Sequence, residues 1–242
     1  MVDNMDDRLL PLIGPNSRDR PHPPKAWVKT SDIQSSTWHH VIPYSLLRTV
    51  WNLMIRSVAA SRGQEAPVAL KRYLSASGST FRNPDGWISN LRNRSLSVSQ
   101  MDELARCAVW QPWNIVEGPS DRTDDPCDTQ QHTWQMDRFT HGLTSDELAR
   151  MRVVESLYEE LRQIISAVSV TGNQVQAIGE AFLHRSGLKF ISQPIAYRKT
   201  MWLSLNGSNP NIGPFRKVRN PKELTAQASP NPTAGPRCPF RS

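Results

Sequence analysis

Apolar positions recur at helical spacing through much of the middle of the chain. After Pro43, residues Leu46, Leu47, Val50, Leu53, Met54 and Val58 fall on one face, which predicts an amphipathic helix over Tyr44 to Ala60. A second helix is expected over Glu65 to Leu74, and Ser99 offers a cap for a third that ends near Ala108. The strongest helical pattern covers Thr144 to Val168. Thr144 and Glu147 have the spacing of a capping box, and Leu148, Met151, Val154, Leu157, Leu161, Ile164 and Val168 form one apolar stripe. Such a stripe packs into a core or against a partner helix. A further helix is expected over Asn173 to Arg185, closed by Gly187.

Strand signals are few and short. A polar strand or loop over Thr30 to Thr37 leads into Trp38-His39-His40, a short strand is expected within Trp110 to Pro119, and another near Met201 to Leu205. The stretch Ser75 to Arg94 reads as loop, with turn chemistry at Asn83-Pro84-Asp85-Gly86, and Ser120 to Gln131 reads as a polar, acidic loop. The pattern predicts an α+β protein. Its domain, over 31–190, is mainly helical, with a Pro-rich arm or linker over 1–30 and a basic, Pro/Asn-rich extension over 191–242.

Composition sharpens this picture in three ways. The hydrophobic fraction of 38% and the mean hydropathy of −0.53 are low for a chain of 242 residues, so the flanks are expected to pack poorly around a helical core. The net charge of +7 is unevenly spread: Phe182 to Ser242 carries +9, which leaves −2 for the remainder. A tail of that charge is either a solvated, solubilising segment or a phosphate-contacting one. Cys107, Cys127 and Cys238 are an odd, sparse set with no Cys-x-x-Cys pair, which suits a reducing compartment and argues against a cysteine-rich zinc site. The acidic start and the lack of a long apolar run predict neither a cleavable signal nor a membrane partner. Walker-type, Rossmann and Gly-x-Ser-x-Gly motifs are absent.

The residues with chemical promise are His39 and His40. Imidazole titrates near neutral pH and is also a good metal ligand, so the pair suits base catalysis or cation binding. On a strand, adjacent rings point to opposite faces. At a strand end or bulge both rings can turn toward one phosphate. Asn114, between Trp113 and Gly118-Pro119, is a second candidate, since a carboxamide can fix a ring nitrogen or a backbone carbonyl without adding charge.

The run His39-His40-Val41-Ile42-Pro43, followed by a Leu-rich helix, resembles the opening motif of HNH, or ββα-metal, nucleases. The Trp38-His39-His40 triplet resembles that of a bacterial toxin-like branch of the superfamily. The segment Trp113-Asn114-Ile115-Val116-Glu117-Gly118-Pro119, followed by Arg122-Thr123-Asp124-Asp125-Pro126, matches a later block. The resemblance implies a divalent metal ion, magnesium or zinc, and cleavage of nucleic-acid phosphodiesters, with DNA favoured. It also implies His39 as a metal ligand, His40 as the general base, and Asn114 as the residue orienting that base; the two histidine roles are interchangeable at this stage. A third ligand is sought at His132, with Asp124 or Asp125 as replacements, His141 as a less suitable choice, and Asn173 with His184 as a fallback. The helices between Tyr44 and Ala108 must then be an insertion in a compact ββα motif.

Arg122 is the arginine nearest the second block and is a candidate phosphate contact. Arg216, Lys217 and Arg219, interleaved with Phe215, are candidate nucleic-acid contacts. Trp134 and Trp202 read as core residues. If the chain is a toxin, an inhibitor protein is an expected partner; the location is then cytoplasmic, or a target cell reached without a cleavable signal. The rival reading is a non-enzymatic helical interaction protein. It would use the apolar stripe for a partner helix and the basic tail for nucleic acid.

Overall fold

A computed structural model describes residues 5–15, 21–24, 27, 36–60, 63–76, 83–119, 143–166 and 172–196. These form six α-helices and one two-stranded antiparallel sheet, a mostly helical α+β arrangement. The chain divides into two compact units. One comprises Met1–Trp27, Tyr44–Trp113 and Ser156–Gln193; the other comprises Val28–Pro43, Asn114–Glu155 and Pro194–Ser242.

The helical unit opens with α1 (Tyr44–Ala60), whose buried face is Leu47, Val50, Trp51, Met54, Ile55 and Val58. Helix α2 (Glu65–Ser75) tolerates Pro67 because the first-turn N–H groups have no partner within a helix. Helix α3 (Pro84–Arg92) occupies the segment expected to be loop. Its turn-forming residues are a helix start: Asn83 takes a left-handed φ of 61° and its side-chain oxygen accepts from the Gly86 N–H at 3.0 Å. Pro84 then supplies the fixed φ of a first helical residue. Helix α4 (Val98–Val109) is capped by Ser97 rather than Ser99, because Gln100 returns the bond and completes a capping box.

Helix α5 (Ser145–Ser166) begins at the expected capping box, with the Thr144 N–H on a Glu147 carboxylate oxygen at 2.8 Å. From its stripe, Met151, Val154, Leu157 and Leu161 are buried within the chain itself. Helix α6 (Gly172–Leu183) packs on α2, where Gly179 lies directly against Ala69. Tyr73 joins this core edge-on to Phe182 at 4.6 Å between ring centres, and its hydroxyl donates to the Ala108 carbonyl at 2.8 Å.

The N-terminal arm, expected to be loosely attached, is docked on the helical unit where it is described. Leu10 and Ile13 are buried. The Trp51 indole N–H donates to the Pro11 carbonyl at 2.6 Å, and Asn52 exchanges two hydrogen bonds of 2.9 Å with the Ile13 backbone. Proline-rich backbone has few N–H groups of its own, and its carbonyls are satisfied by side-chain donors from α1 and by Trp110, just past α4, on Pro21. Trp51→Phe should keep the ring packing and leave the buried Pro11 carbonyl without its donor. Urea unfolding of this variant is expected to show about 1–2 kcal/mol less stability.

The second unit holds β1 (Ser36–His40) and β2 (Ile115–Pro119), paired antiparallel from Ser36 opposite Pro119 to His40 opposite Ile115. The other edge of β2 bonds Ile195: the Glu117 N–H donates to the Ile195 carbonyl at 2.8 Å, and the Ile195 N–H to the Ile115 carbonyl at 3.1 Å. Residues Ser145 to Glu155 of α5 belong to this unit as well.

Candidate functional site

The site is built on the strand pair. The Val41 N–H donates to the Asn114 carbonyl at 2.8 Å, extending the ladder one step beyond His40 and Ile115. The Asn114 carboxamide then grips the next residue with both ends. Its oxygen accepts from the Ile42 N–H at 2.6 Å, and its nitrogen donates to the Ile42 carbonyl at 3.2 Å. The two residues are 72 positions apart in sequence. Of the two roles open to this asparagine, the one observed is on the backbone: it fixes the chain leaving His40 rather than an imidazole nitrogen.

Both imidazoles are buried, His39 at 3% exposure and His40 at 0%. His39 pairs with Val116 and His40 with Ile115, so strand alternation sends the rings to opposite faces of the pair. Trp38 stands opposite Glu117, which puts Trp38, His40, Ile115 and Glu117 on one face. Glu117 is itself at 0% exposure.

Glu117 was not among the residues singled out by motif. A signal existed, since a glutamate between Val116 and Gly118 is a poor choice for a strand buried on both sides. The sequence alone does not give the register that sets it opposite Trp38.

Arg150 is a second addition. From α5 its guanidinium donates to the Ile115 carbonyl at 3.3 Å. Burial pushes this arginine down to about 10, with Glu147 one turn earlier pulling the other way. It therefore stays protonated at neutral pH and sets a positive charge on β2.

Of the expected metal ligands His39, His132, Asp124 and Asp125, His39 is the one within the described residues. Among the described residues no three His, Cys, Asp or Glu side chains form a group able to hold a metal ion. The donors that are described are divided, His39 on one face and His40 with Glu117 on the other. They do not by themselves fit a divalent ion. His132, Asp124 and Asp125 lie outside the described residues, as do Arg122, His141, Trp134, Trp202, Arg216, Lys217 and Arg219. Helix α5, which follows β2, carries no histidine. The fallback pair fails on geometry, because Asn173 and His184 are both exposed and stand at opposite ends of α6.

Cys107 is buried, and burial, with Glu103 beside it, pushes its thiol up to about 12, which makes it a poor nucleophile. A groove of about 270 Å³ between α2 and α3 is lined by Pro67, Ile88, Arg92 and the Lys71–Asp85 ion pair of 2.6 Å, and contains no histidine. No family model matches the chain, and neither a curated protein nor a solved structure shows significant similarity to it.

Proposed function

We propose that the chain is an HNH-type endonuclease that hydrolyses nucleic-acid phosphodiesters, DNA in preference to RNA. One observation carries the reading: the strand ending in His39-His40 pairs with the strand that follows Asn114, and the Asn114 amide clamps the Ile42 backbone two residues past His40. The order within that unit, β1, β2 and then the first half of α5, has the sense of a ββα motif with the helices α1–α4 inserted between its strands. In this reading His40 accepts the proton of the attacking water, and Asn114 keeps the segment carrying it rigid. A divalent ion, magnesium or zinc, belongs to the proposal through the resemblance, with Asp124, Asp125 and His132 as the ligands to test beside His39. The toxin setting and an inhibitor partner rest on the same resemblance.

The test is plasmid cleavage by the purified full chain, supplied in turn with magnesium, manganese, nickel and zinc. Cleavage is expected, and His40→Ala is expected to reduce its rate at least about 100-fold with an unchanged circular dichroism spectrum. Absence of cleavage with every metal, or equal rates for the two proteins, overturns the proposal.

A second reading has its own observation. Complete burial of His40 and Glu117 suits a structural role, in a helical interaction protein whose basic C-terminal segment holds nucleic acid. Under it, His40→Ala lowers the melting temperature without touching binding, while charge reversal of Arg216, Lys217 and Arg219 abolishes a gel shift.

A further inference from the structure

We infer that Phe190 is a stacking platform for an unpaired base of single-stranded nucleic acid, with the Lys189 ammonium beside it as a contact for the strand's phosphates. The inference names a nucleic-acid contact within the helical unit, and it rests on the reading that this chain binds nucleic acid.

Phe190 closes a 3-10 turn over Ser186–Phe190 that follows α6. It is 79% exposed, the most exposed of the large apolar residues described and the aromatic one among those that are exposed. The turn that carries it is fastened. Leu188 is buried, its N–H donates to the Arg185 carbonyl at 3.0 Å, and the Ile191 N–H donates to the Leu188 carbonyl at 3.1 Å. Arg185 is held in its turn, with its guanidinium on the Ala181 carbonyl at 2.8 Å, a Glu160 carboxylate oxygen at 2.7 Å and the Ser156 hydroxyl at 3.0 Å. A ring presented on such a turn loses less freedom on binding than one on a free chain. The Lys189 ammonium lies 4.9 Å from the centre of the ring, within the range of a cation–π contact, so a positive charge accompanies the flat apolar surface.

The surrounding charge selects an anionic partner. Between Glu180 and Glu223 the sequence has no acidic residue and eight Lys or Arg, Arg185 and Lys189 among them. Arg185 is committed to Glu160, so among the described residues of this stretch Lys189 is the cation beside the ring. A protein partner held by apolar contact would need a wider patch than one ring. Lys189, Ser192 and Gln193, its neighbours in sequence, are polar and exposed, and Ile191 is half-buried. An unpaired base needs a flat ring face, and the phosphate next to it needs a cation, which is the pair of features found here. In a duplex the base faces are already covered by their neighbours, so the fit is to an unpaired strand. Stacking of this kind tolerates any base.

The experiment is fluorescence anisotropy of a fluorescein-labelled oligothymidylate with the full chain in EDTA, so that binding is read without cleavage. Because the ring is exposed, substitutions at Phe190 leave the core untouched. Phe190→Ala should bind about 5- to 100-fold more weakly than wild type. Phe190→Leu, which stays apolar without a flat ring, should lose about as much, and Phe190→Trp should bind at least as tightly as wild type. On a strand of equal length and charge whose sites are abasic, Phe190→Ala and wild type should bind alike. Lys189→Gln should lower the slope of log affinity against log salt by about 0.7. No binding by wild type, equal affinity of Phe190→Ala and wild type for the oligothymidylate, or an equal loss on the abasic strand overturns the inference. Full affinity in Phe190→Leu also overturns it, since the contact is then apolar rather than stacked, and an unchanged salt slope removes Lys189 from it. A chain that binds through Phe190 but cleaves no plasmid keeps the inference and sinks the nuclease reading; a chain that cleaves while substitutions at Phe190 are silent does the reverse.

Discussion

Asn114→Ala should be the most damaging single truncation in the strand unit. The side chain makes two hydrogen bonds to Ile42, one through each end of its amide, and both residues are fully buried. Removing it strands an N–H and a carbonyl where water does not reach, at about 1–3 kcal/mol each. A loss of about 3–5 kcal/mol in urea unfolding is expected, together with loss of any activity that depends on His40. A loss below about 1 kcal/mol would show that the clamp is replaceable.

Asn114→Asp adds a test of the same geometry by pH. The ionised carboxylate can accept from the Ile42 N–H but faces the Ile42 carbonyl with no proton to give. The protonated acid can do both. Burial raises a carboxyl pKa, so the folded variant binds this proton more readily than the unfolded one. Its stability should therefore increase as pH falls, opposite to the usual acid destabilisation. Wild type should show no such gain.

The second large effect is expected at Gly179. A Cβ there would lie 2.7 Å from the Ala69 Cα and 2.8 Å from its Cβ, distances that require α2 and α6 to move apart. Alanine favours a helix over glycine by about 1 kcal/mol, but the obstacle includes backbone, which no rotamer change can clear. Gly179→Ala should be destabilising despite its better propensity, and Gly179→Val by about 3 kcal/mol. Ala69→Gly in the Gly179→Ala background should restore only part of the loss, because the Ala69 Cα remains in the way. Thermal melts of the three variants check this ordering. A Gly179→Ala protein more stable than wild type would mean that the helices separate easily.

The helices were the legible part of the fold. Periodicity found α1 and α5, helices were also expected at α2, α4 and α6, and a capping box placed the start of α5, because these signals are local and need no partner. Helix α3 was hidden by its first residues. Asn83-Pro84-Asp85-Gly86 is turn chemistry, and a cap with proline at the first helical position uses the same residues. The docking of the N-terminal arm was also hidden, since it depends on indole and carboxamide donors more than 30 positions away.

At the site, the histidine pair and Asn114 could be picked from sequence, and the two segments do meet. Which atoms meet was not legible. Asn114 grips main chain beyond His40, and Glu117 enters through a register that depends on pairing across a long excursion. Strand alternation separates His39 from His40, and among the described residues no three His, Cys, Asp or Glu side chains form a metal-holding group.

That excursion has a kinetic consequence. The chain leaves the strand pair at Val41 and rejoins it at Asn114, with four helices between. Closing a flexible loop of 72 residues costs roughly 4 kcal/mol of chain entropy before any contact rewards it. Helices that form early shorten the loop left to close, so zipping of the two strands is expected to follow helix assembly and to set the slow refolding phase. A nascent chain emerging from the ribosome would hold its histidines long before the asparagine that clamps the backbone after them is even synthesised.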